Sequence, residues 1–278
     1  DKYFKLEGTR LVRNGILALL LAGDTITVPN LHKLIVTSPT SMEQVESESW
    51  QQNSFCFKCL KAADKAEKTE SQQADFELAL TYFLKEWCSL SSRTRSVVQS
   101  TITSATDLLS RGIARDMISS PSPNISPSMM YEGKIIIVDF PVLVYRDVGK
   151  MIQVILKIMW QRSHARRDIS KNNRPTFIVA DESQMLLVDE DSKFQAISRS
   201  TRTAVVYATQ SFSSYLETLG GNAEPKVNSL LTNLQLRICH QQTDIRTIQY
   251  MQDLLGKSPR FTSNGNTNHN ENWLAPLI

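Results

Sequence analysis

The sequence predicts an all-α domain followed by an open α/β domain, and two observations indicate this division. Before about residue 130, apolar residues recur at intervals of three and four, which is typical of helices. After it, short continuous apolar runs alternate with helical stretches, which is typical of a parallel sheet flanked by helices. We therefore assign residues 1–130 to the all-α domain and residues 131–278 to the α/β domain.

The helices of the first domain are indicated by their ends and by their apolar faces. The run "TRLVRNGILALLLAG" closes on Gly23, which predicts that a helix ends there. Thr40 followed by Glu43 has the spacing of a capping box and predicts the start of another helix. Two later segments carry an apolar helical face, made of Phe76, Ala79, Leu80, Phe83, Leu84 and Trp87 in one and of Val97, Ile102, Ala105, Leu108 and Leu109 in the other. The proline-containing segment "SSPSPNISPS" then cannot continue a helix, and we expect it to connect the domains.

Four apolar runs in the second domain are predicted to be strands. They are "KIIIVDF" (134–140), "TFIVAD" (176–181), "AVVYATQ" (204–210) and "LQLRICH" (234–240). Because the runs are continuously apolar, we expect helices to cover both faces of the sheet. The predicted helices lie at residues 147–167, 192–201, 225–233 and 243–255.

Composition excludes several classes of protein. The net charge of +3, from 31 Lys and Arg against 28 Asp and Glu, is too small to indicate nucleic-acid or membrane binding by itself. Four cysteines do not make a disulfide scaffold, so a reducing compartment is expected. The apolar run "ILALLLAG" is far shorter than the roughly 20 residues that a membrane crossing needs. There is no HExxH or G-x-S-x-G motif to indicate a metalloprotease or an α/β serine hydrolase.

Polar side chains follow three of the predicted strands, where ligands bind in open α/β sheets. Asp139 follows the first strand, Asp181 and Glu182 follow the second, and Gln210 ends the third. Four apolar residues followed by Asp-Glu have the form of a Walker B motif, in which the Asp serves Mg²⁺ and the Glu polarises the attacking water. A second interpretation is that Glu182 simply begins the next helix, where a negative charge suits the helix dipole.

Three further residues fit the same phosphate chemistry. Gln210 lies 28 residues after Glu182 and is suited to sensing a γ-phosphate or holding the water. Arg199 and Arg202 are three residues apart, which places them roughly on one helix face. An arginine aimed at a transferring phosphoryl group raises the rate by orders of magnitude. The alternative for both arginines is that they are solvated helix charges.

The same segments resemble the coupling proteins of type IV secretion, which are RecA-like hexameric ATPases that pump DNA during bacterial conjugation. The resemblance covers about residues 10–256 and is most specific between Ile135 and His240. It rests on "GKIIIVDFPVLVYRDVGKMIQVILKIMWQR", "RPTFIVADESQ", "SRSTRTAVVYATQSFSSYLETLGG" and "VNSLLTNLQLRICH". The resemblance implies a RecA-like parallel sheet flanked by helices, with an all-α domain inserted into the nucleotide-binding domain.

The resemblance also implies roles for single residues. Asp181 is similar to the Walker B acid that serves Mg²⁺, Glu182 to the catalytic base and Gln210 to the strand-end sensor. Arg199 is the best candidate for an arginine that reaches the nucleotide of a neighbouring subunit, with Arg202 as a second catalytic candidate. Asp139 is a further candidate for binding the ATP cofactor, from its strand-end position.

The resemblance extends to partners and location. It implies single- or double-stranded DNA as substrate and a hexamer as the active assembly. The helical domain would meet relaxosome or secretion-system proteins. The expected location is the cytoplasmic face of the bacterial inner membrane, with the membrane itself reached through a region that is not in this chain.

One departure from the family pattern concerns the phosphate-binding loop. No G-x-x-x-x-G-K-[ST] sequence occurs, because "GTRLVRNG" lacks the Lys-Ser/Thr pair and "LGKS" (255–258) lacks the upstream glycine. We expect that loop in a preceding part of a longer ATPase, so that this chain alone binds ATP weakly and is inactive. An alternative function is a non-hydrolysing module, built on the ATPase scaffold, that binds substrate or relaxosome proteins. A small-molecule enzyme that uses Asp139 and Asp181 is a third class, without a nucleophile or cofactor fingerprint.

Two smaller clusters have open interpretations. Cys56 and Cys59 form a CxxC, but a structural zinc site needs four ligands and no second pair follows, so buried thiols are the alternative. Arg162, Arg166 and Arg167 lie at a predicted helix end. They either complement the helix dipole or provide a salt-dependent contact to DNA phosphates.

Overall fold

The computed structural model describes residues 2–120, 122–220 and 223–256. Helices make up 67% of it, and the chain divides between Ser126 and Pro127 into two units, each with its own packing. The first unit contains α1 (Lys2–Leu21), α2 (Val28–Val36), α3 (Met42–Glu46), α4 (Glu48–Asn53), α5 (Phe55–Lys65), α6 (Glu70–Thr81), a π-helical turn (Tyr82–Glu86), α7 (Trp87–Ser89), α8 (Ser92–Leu109) and α9 (Gly112–Ile118).

The helix ends of the first unit follow local chemistry. Helix α1 ends two residues before Gly23. The φ of Gly23 is 69°, in the left-handed region that glycine adopts readily because it has no Cβ. Helix α3 begins one residue later than predicted, because Ser41 rather than Thr40 is the N-cap and its hydroxyl accepts a hydrogen bond from the amide of Gln44. The side chain of Gln44 in turn accepts from the Thr40 amide. A hydrogen bond with the Ser41 side chain lowers the pKa of the Glu43 carboxyl, so Glu43 acts at Ser41 rather than at Thr40 as predicted.

Apolar faces of the first unit meet in one core. Phe76, Phe83 and Trp87 are buried there as their spacing predicts, together with residues of α1, α2 and α5. The face of α8 is rotated relative to the prediction, because Val98, Thr106 and Leu109 are the buried residues of that helix, whereas Val97 and Ala105 are exposed. A run of two adjacent valines does not by itself indicate which one faces inward.

The second unit places two strands among helices. In chain order it contains a 3₁₀ turn (Pro127–Glu132), α10 (Val142–Ala165, with a backbone break at Arg146), β1 (Thr176–Ala180), a 3₁₀ turn (Ser183–Leu186), α11 (Asp191–Ser198), a 3₁₀ turn (Arg199–Thr201), β2 (Thr203–Tyr207), α12 (Phe212–Leu219), α13 (Glu224–Asn233) and α14 (Ile245–Leu255). Helices α11, α13 and α14 and the regular part of α10 agree with the helices that the sequence predicts, whereas α12 was not predicted. Leu187, Phe212, Tyr215, Val227 and Leu230 form its apolar core.

The predicted RecA-like parallel sheet flanked by helices is wrong. Within the described residues the only strands are β1 and β2, which pair in parallel with Thr176 opposite Thr203 and Ala180 opposite Tyr207. Residues 134–140 and 234–240 are not strands, and Ile135, Ile137, Leu236 and Ile238 in them are exposed. The physical reason is that β-preference describes how a side chain fits a paired, packed surface, and an apolar run does not form a strand without a partner.

Only one face of the small sheet is packed. Thr176, Ala180 and Thr203 are buried, whereas Phe177 is 57% and Val179 is 72% exposed on the other face. The prediction that both faces are covered is therefore also wrong. In the described parts of the chain, no helix combines the length and apolar character that crossing a membrane requires.

Candidate functional site

The carboxyl ends of β1 and β2 are tied together by backbone hydrogen bonds. The Ala208 amide donates to the Ala180 carbonyl at 2.9 Å, and the Ser183 amide donates back to the Ala208 carbonyl at 2.9 Å. Between these two bonds the chain must reverse within Asp181 and Glu182. This short bridge is the local reason that both acids stand at the end of the strand pair.

Glu182 makes that reversal in a left-handed backbone conformation, with φ 48° and ψ 42°. A residue with a Cβ adopts this region at a cost of roughly 1–2 kcal/mol, because the Cβ crowds the following carbonyl. Such strain concentrates at functional sites, where the surrounding structure holds it in place. The strained turn aims the side chain of Glu182 across the strand ends toward the residues that follow β2.

Two glutamines hold the carboxylate of Glu182. The side-chain amide of Gln210 donates to Oε1 at 2.8 Å, and the amide of Gln184 donates to Oε2. Gln184 is fixed in turn, because its carbonyl oxygen accepts a 2.8 Å hydrogen bond from the hydroxyl of Thr209. Each oxygen of the Glu182 carboxylate thus accepts a hydrogen bond from a glutamine, one following β1 and one following β2.

These hydrogen bonds set the protonation state of Glu182. The bond from Gln210, and then the bond from Gln184, lower the pKa of the Glu182 carboxyl, and its slight burial opposes this shift only weakly. A hydrogen bond donated to a carboxylate stabilises the charged form. Glu182 is therefore an anion at neutral pH, with acceptor capacity left for a water or another donor.

Asp181 lies beside Glu182 and is exposed. One of its carboxylate oxygens accepts a 3.0 Å hydrogen bond from the Glu182 amide. The other oxygen contacts no donor within the described residues. An exposed carboxylate with a free oxygen is a hard ligand of the kind that Mg²⁺ takes, usually with waters and phosphate oxygens completing its shell.

Buried groups behind the strand ends fix the segment that carries Gln184. The hydroxyl of the buried Ser183 donates to the Ala208 carbonyl and lies 2.7 Å from the hydroxyl of Tyr215 on α12. Burial raises the pKa of the Tyr215 hydroxyl, which keeps it neutral. A third segment reaches the site where the side chain of Gln242 donates to the Gln210 carbonyl at 3.1 Å.

A buried ion pair between Lys157 and Asp191 also holds the 3₁₀ turn that carries Gln184. Asp191 is 0% exposed and accepts hydrogen bonds from Lys157, Gln161 and Tyr207 and from the backbone amide of Val188. Lys157 also donates to the Leu186 carbonyl at the end of the 3₁₀ turn. Burial lowers the pKa of Lys157 although Asp191 acts in the opposite direction. The pair connects α10, α11 and β2 to the turn that holds Gln184.

The structure does not bring the predicted arginines to this site within one chain. Arg199 and Arg202 precede β2, whereas Gln210 follows it, so the whole five-residue strand separates them. At about 3.3 Å per residue, that distance is roughly 16 Å. Both arginines are exposed, and Arg202 has a left-handed backbone with φ 51°.

Neither Asp139 nor the cysteine pair lies at the end of a strand. Asp139 is exposed in the segment 134–140, which is not a strand. Cys56 and Cys59 are buried in the core of the first unit, and burial raises the pKa of Cys56 to about 12 and that of Cys59 to about 11. The described residues contain no group of three or more His, Cys, Asp or Glu side chains placed to hold a metal.

The sequence named most of this site but missed Gln184. The only signal available was its position two residues after Glu182, which does not distinguish it from a surface glutamine.

No protein-family model, no curated protein and no solved structure matches the chain.

Proposed function

We propose that this chain supplies the water-activating acids of an ATP-driven DNA translocase, of the type that couples DNA to type IV secretion in bacterial conjugation. One observation carries the proposal, namely the hydrogen-bonded pair of Glu182 and Gln210 at adjoining strand ends. An ionised Glu that is oriented by an amide following the neighbouring strand can accept a hydrogen bond from a water beside a phosphate, which general-base catalysis needs. The sequence resemblance between Ile135 and His240 supports the same assignment.

In this proposal Glu182 accepts a hydrogen bond from the attacking water and takes its proton as the water oxygen bonds to the γ-phosphorus of ATP, while the bond from that phosphorus to the β–γ bridging oxygen breaks and ADP leaves. Gln210 and Gln184 orient the carboxylate of Glu182. Gln210 would also contact the terminal phosphate, so that the end of β2 responds to whether that phosphate is bound. Asp181 would hold Mg²⁺, whose charge offsets that of the phosphate oxygens and of the adjacent acids. The fixed amides need little rearrangement during the reaction, which is what electrostatic preorganisation means here.

Arg199 and Arg202 enter this proposal only from another copy of the chain. Their place at the opposite end of β2 prevents them from reaching the Glu182 of the same chain. A ring of subunits, such as a hexamer, would bring the amino end of β2 of one copy, with these arginines, to Asp181 and Glu182 of the next copy. We propose that the assembly works at the cytoplasmic face of the bacterial inner membrane on DNA delivered by relaxosome or secretion-system proteins.

A second candidate function is a binding module that recognises substrate or relaxosome proteins without turnover. The absence of a G-x-x-x-x-G-K-[ST] sequence from the 278 residues favours it, because the backbone amides and lysine of that loop cradle the nucleotide phosphates. The two functions differ in whether Glu182 takes part in hydrolysis.

The test is Glu182→Gln in the complete polypeptide that the gene encodes. The change removes the negative charge and keeps the side-chain length, so nucleotide binding should remain while turnover falls at least 100-fold. Glu217→Gln, at an exposed position on α12, is the matched control and should leave turnover unchanged. Equal turnover of Glu182→Gln and wild type would refute the hydrolytic role, and no turnover in the wild type would favour the binding module.

A further inference from the structure

The amino ends of β1 and β2 carry a concentration of positive charge. Residues 162–174 and 199–202 contain seven Lys and Arg, against a single acidic residue, Asp168. The two segments are far apart in sequence but meet in the fold, because the Thr176 amide donates to the Arg202 carbonyl at 3.1 Å. The cations thus belong to one surface, which we call the arginine edge, at the opposite end of the strands from Glu182.

Arg167 builds this edge and is not available for a ligand. Its guanidinium donates to the carbonyls of Asn172, Arg174 and Thr201 and lies 4.6 Å from the ring centre of Tyr131. These contacts join the end of α10, the loop before β1 and the turn before β2. The neighbouring cations are thereby held on a fixed frame rather than on free loops.

Of the five other arginines, all exposed, Arg162 lies in the last turn of α10, and four lie in the segments that Arg167 joins: Arg166, Arg174, Arg199 and Arg202. Arg202 has one bond, from its guanidinium to the Asn173 carbonyl at 3.1 Å. The guanidinium of Arg174 lies over Gly133, where an added Cβ would come within 2.7 Å of it. Within the described residues none of the four is paired with a carboxylate.

The one acid in these segments does not neutralise the edge. Asp168 accepts hydrogen bonds from the amide and the hydroxyl of Ser170 and lies 4.0 Å from Lys171. Its bonds to Ser170 lower the pKa of its carboxyl, and it engages one lysine at most. These four arginines therefore remain without a counter-charge on an edge that also presents Ser170, Asn172 and Asn173.

We infer that the arginine edge binds the phosphate backbone of DNA, independently of base sequence. Arginine forks match phosphate oxygens bidentately, and arginine, serine and asparagine are the usual donors to phosphates. Several unpaired arginines on a fixed frame fit a linear polyanion better than a single small anion. The inference deepens the proposed function, because it says where the DNA substrate is held, remote from the acid site of the same chain. In the ring of that proposal Arg199 and Arg202 face the nucleotide of the next copy and Arg166 and Arg174 hold the DNA, whereas in a single chain all four arginines bind it.

The experiment measures fluorescence anisotropy of a labelled mixed-sequence 20-mer, single-stranded or duplex, at 50–300 mM salt. Four phosphate contacts predict a slope of log affinity against log salt of about −3.6 for duplex and about −2.8 for single strands. Arg174→Gln with Arg202→Gln should lower affinity about 10-fold at the lowest salt and reduce the slope by about half. The pair Arg166→Gln with Arg199→Gln should do the same. Arg166 and Arg199 are exposed, and their guanidinium groups form no hydrogen bond or ion pair within the described residues, so the second pair of substitutions should leave the fold intact.

Arg246→Gln is the matched control, since Arg246 is exposed in the first turn of α14, outside the arginine edge. It should retain both the affinity and the salt slope. Unchanged binding by both double variants would overturn the inference, as would displacement of DNA by polyglutamate at equal charge concentration, which would indicate an acidic protein partner. The assay needs no nucleotide, so its failure leaves the Glu182 turnover result standing, and a failure of Glu182 leaves this result standing.

Discussion

Gln210 donates a 2.8 Å hydrogen bond to the Glu182 carboxylate across 28 residues of sequence. The bond joins the ends of two parallel strands and, with the bond from Gln184, keeps Glu182 ionised. It also connects the left-handed turn at Glu182 to the segment that follows β2.

Removal of Gln210 should raise the pKa of Glu182. Glu182 has a lower pKa in the folded chain than when unfolded, so its contribution to stability is present above about pH 4 and is lost as the pH falls through the folded pKa. Gln210→Leu should move the folded pKa upward toward its ordinary value, as followed by the carboxyl carbon in an NMR titration. Gln252→Leu on α14 should leave it unchanged. An unaltered Glu182 pKa in Gln210→Leu would show that the bond is absent in solution.

The variant Glu182→Gly should be more stable than the variant Glu182→Ala. Glycine adopts the left-handed conformation without a Cβ clash, so Glu182→Gly should exceed Glu182→Ala in free energy of unfolding by about 1 kcal/mol. At Glu217, inside α12, the order should reverse by a similar amount, because glycine disfavours helix interiors. Urea denaturation of the four variants measures both differences. The same order at both positions would argue against the left-handed turn.

Loss of Lys157 should destabilise the second unit. Lys157→Met leaves Asp191 buried without its cation, which costs about 3–5 kcal/mol in comparable cases. Lys226→Met removes the partner of Asp189 in an exposed pair 2.7 Å apart, and should change stability by less than about 1 kcal/mol. Urea denaturation compares the two. A loss below 1 kcal/mol for Lys157→Met would mean that Asp191 has access to water.

Thiol labelling should separate the cysteines by burial. Cys239 is exposed and should react first with a thiol reagent in the folded chain. Cys56 and Cys59 are buried, with pKa values raised to about 12 and about 11, and should react only after denaturation. Mass spectrometry of the labelled peptides gives the order. Fast labelling of Cys56 or Cys59, or a fall in melting temperature with a metal chelator, would contradict the buried-thiol assignment.

The meeting of Glu182 with Gln210 could be predicted because it follows from chain order. Two neighbouring parallel strands bring the residues after them to one edge, and the apolar runs identify both strands. The same reasoning places residues before β2 at the opposite edge, so the position of Arg199 and Arg202 also follows from their order. Gln184 could not be predicted, because its approach depends on the left-handed turn at Glu182.

The extent of the sheet could not be predicted from the same patterns. Residues 135–138 are as apolar as β1, and residues 234–238 alternate apolar and polar side chains as half-buried strands do, yet neither segment is a strand. Whether an apolar run becomes a strand depends on a partner that supplies backbone hydrogen bonds, and composition does not report that partner. The buried ion pair of Lys157 and Asp191 could not be predicted either. Nothing in the sequence around these two residues distinguishes them from charges on the exposed faces of helices.

Paramagnetic broadening by Mn²⁺–ATP tests the acid site most directly on this chain. Millimolar Mn²⁺–ATP should broaden the amide NMR signals of residues 181–184 and 209–211, and Asp181→Asn should abolish this effect. Asp253→Asn, which removes an exposed acid on α14, should retain it. Broadening confined to other residues, such as the arginine edge, or the same broadening in Asp181→Asn and wild type, would contradict the assignment of Asp181 and Glu182 to a magnesium-nucleotide site.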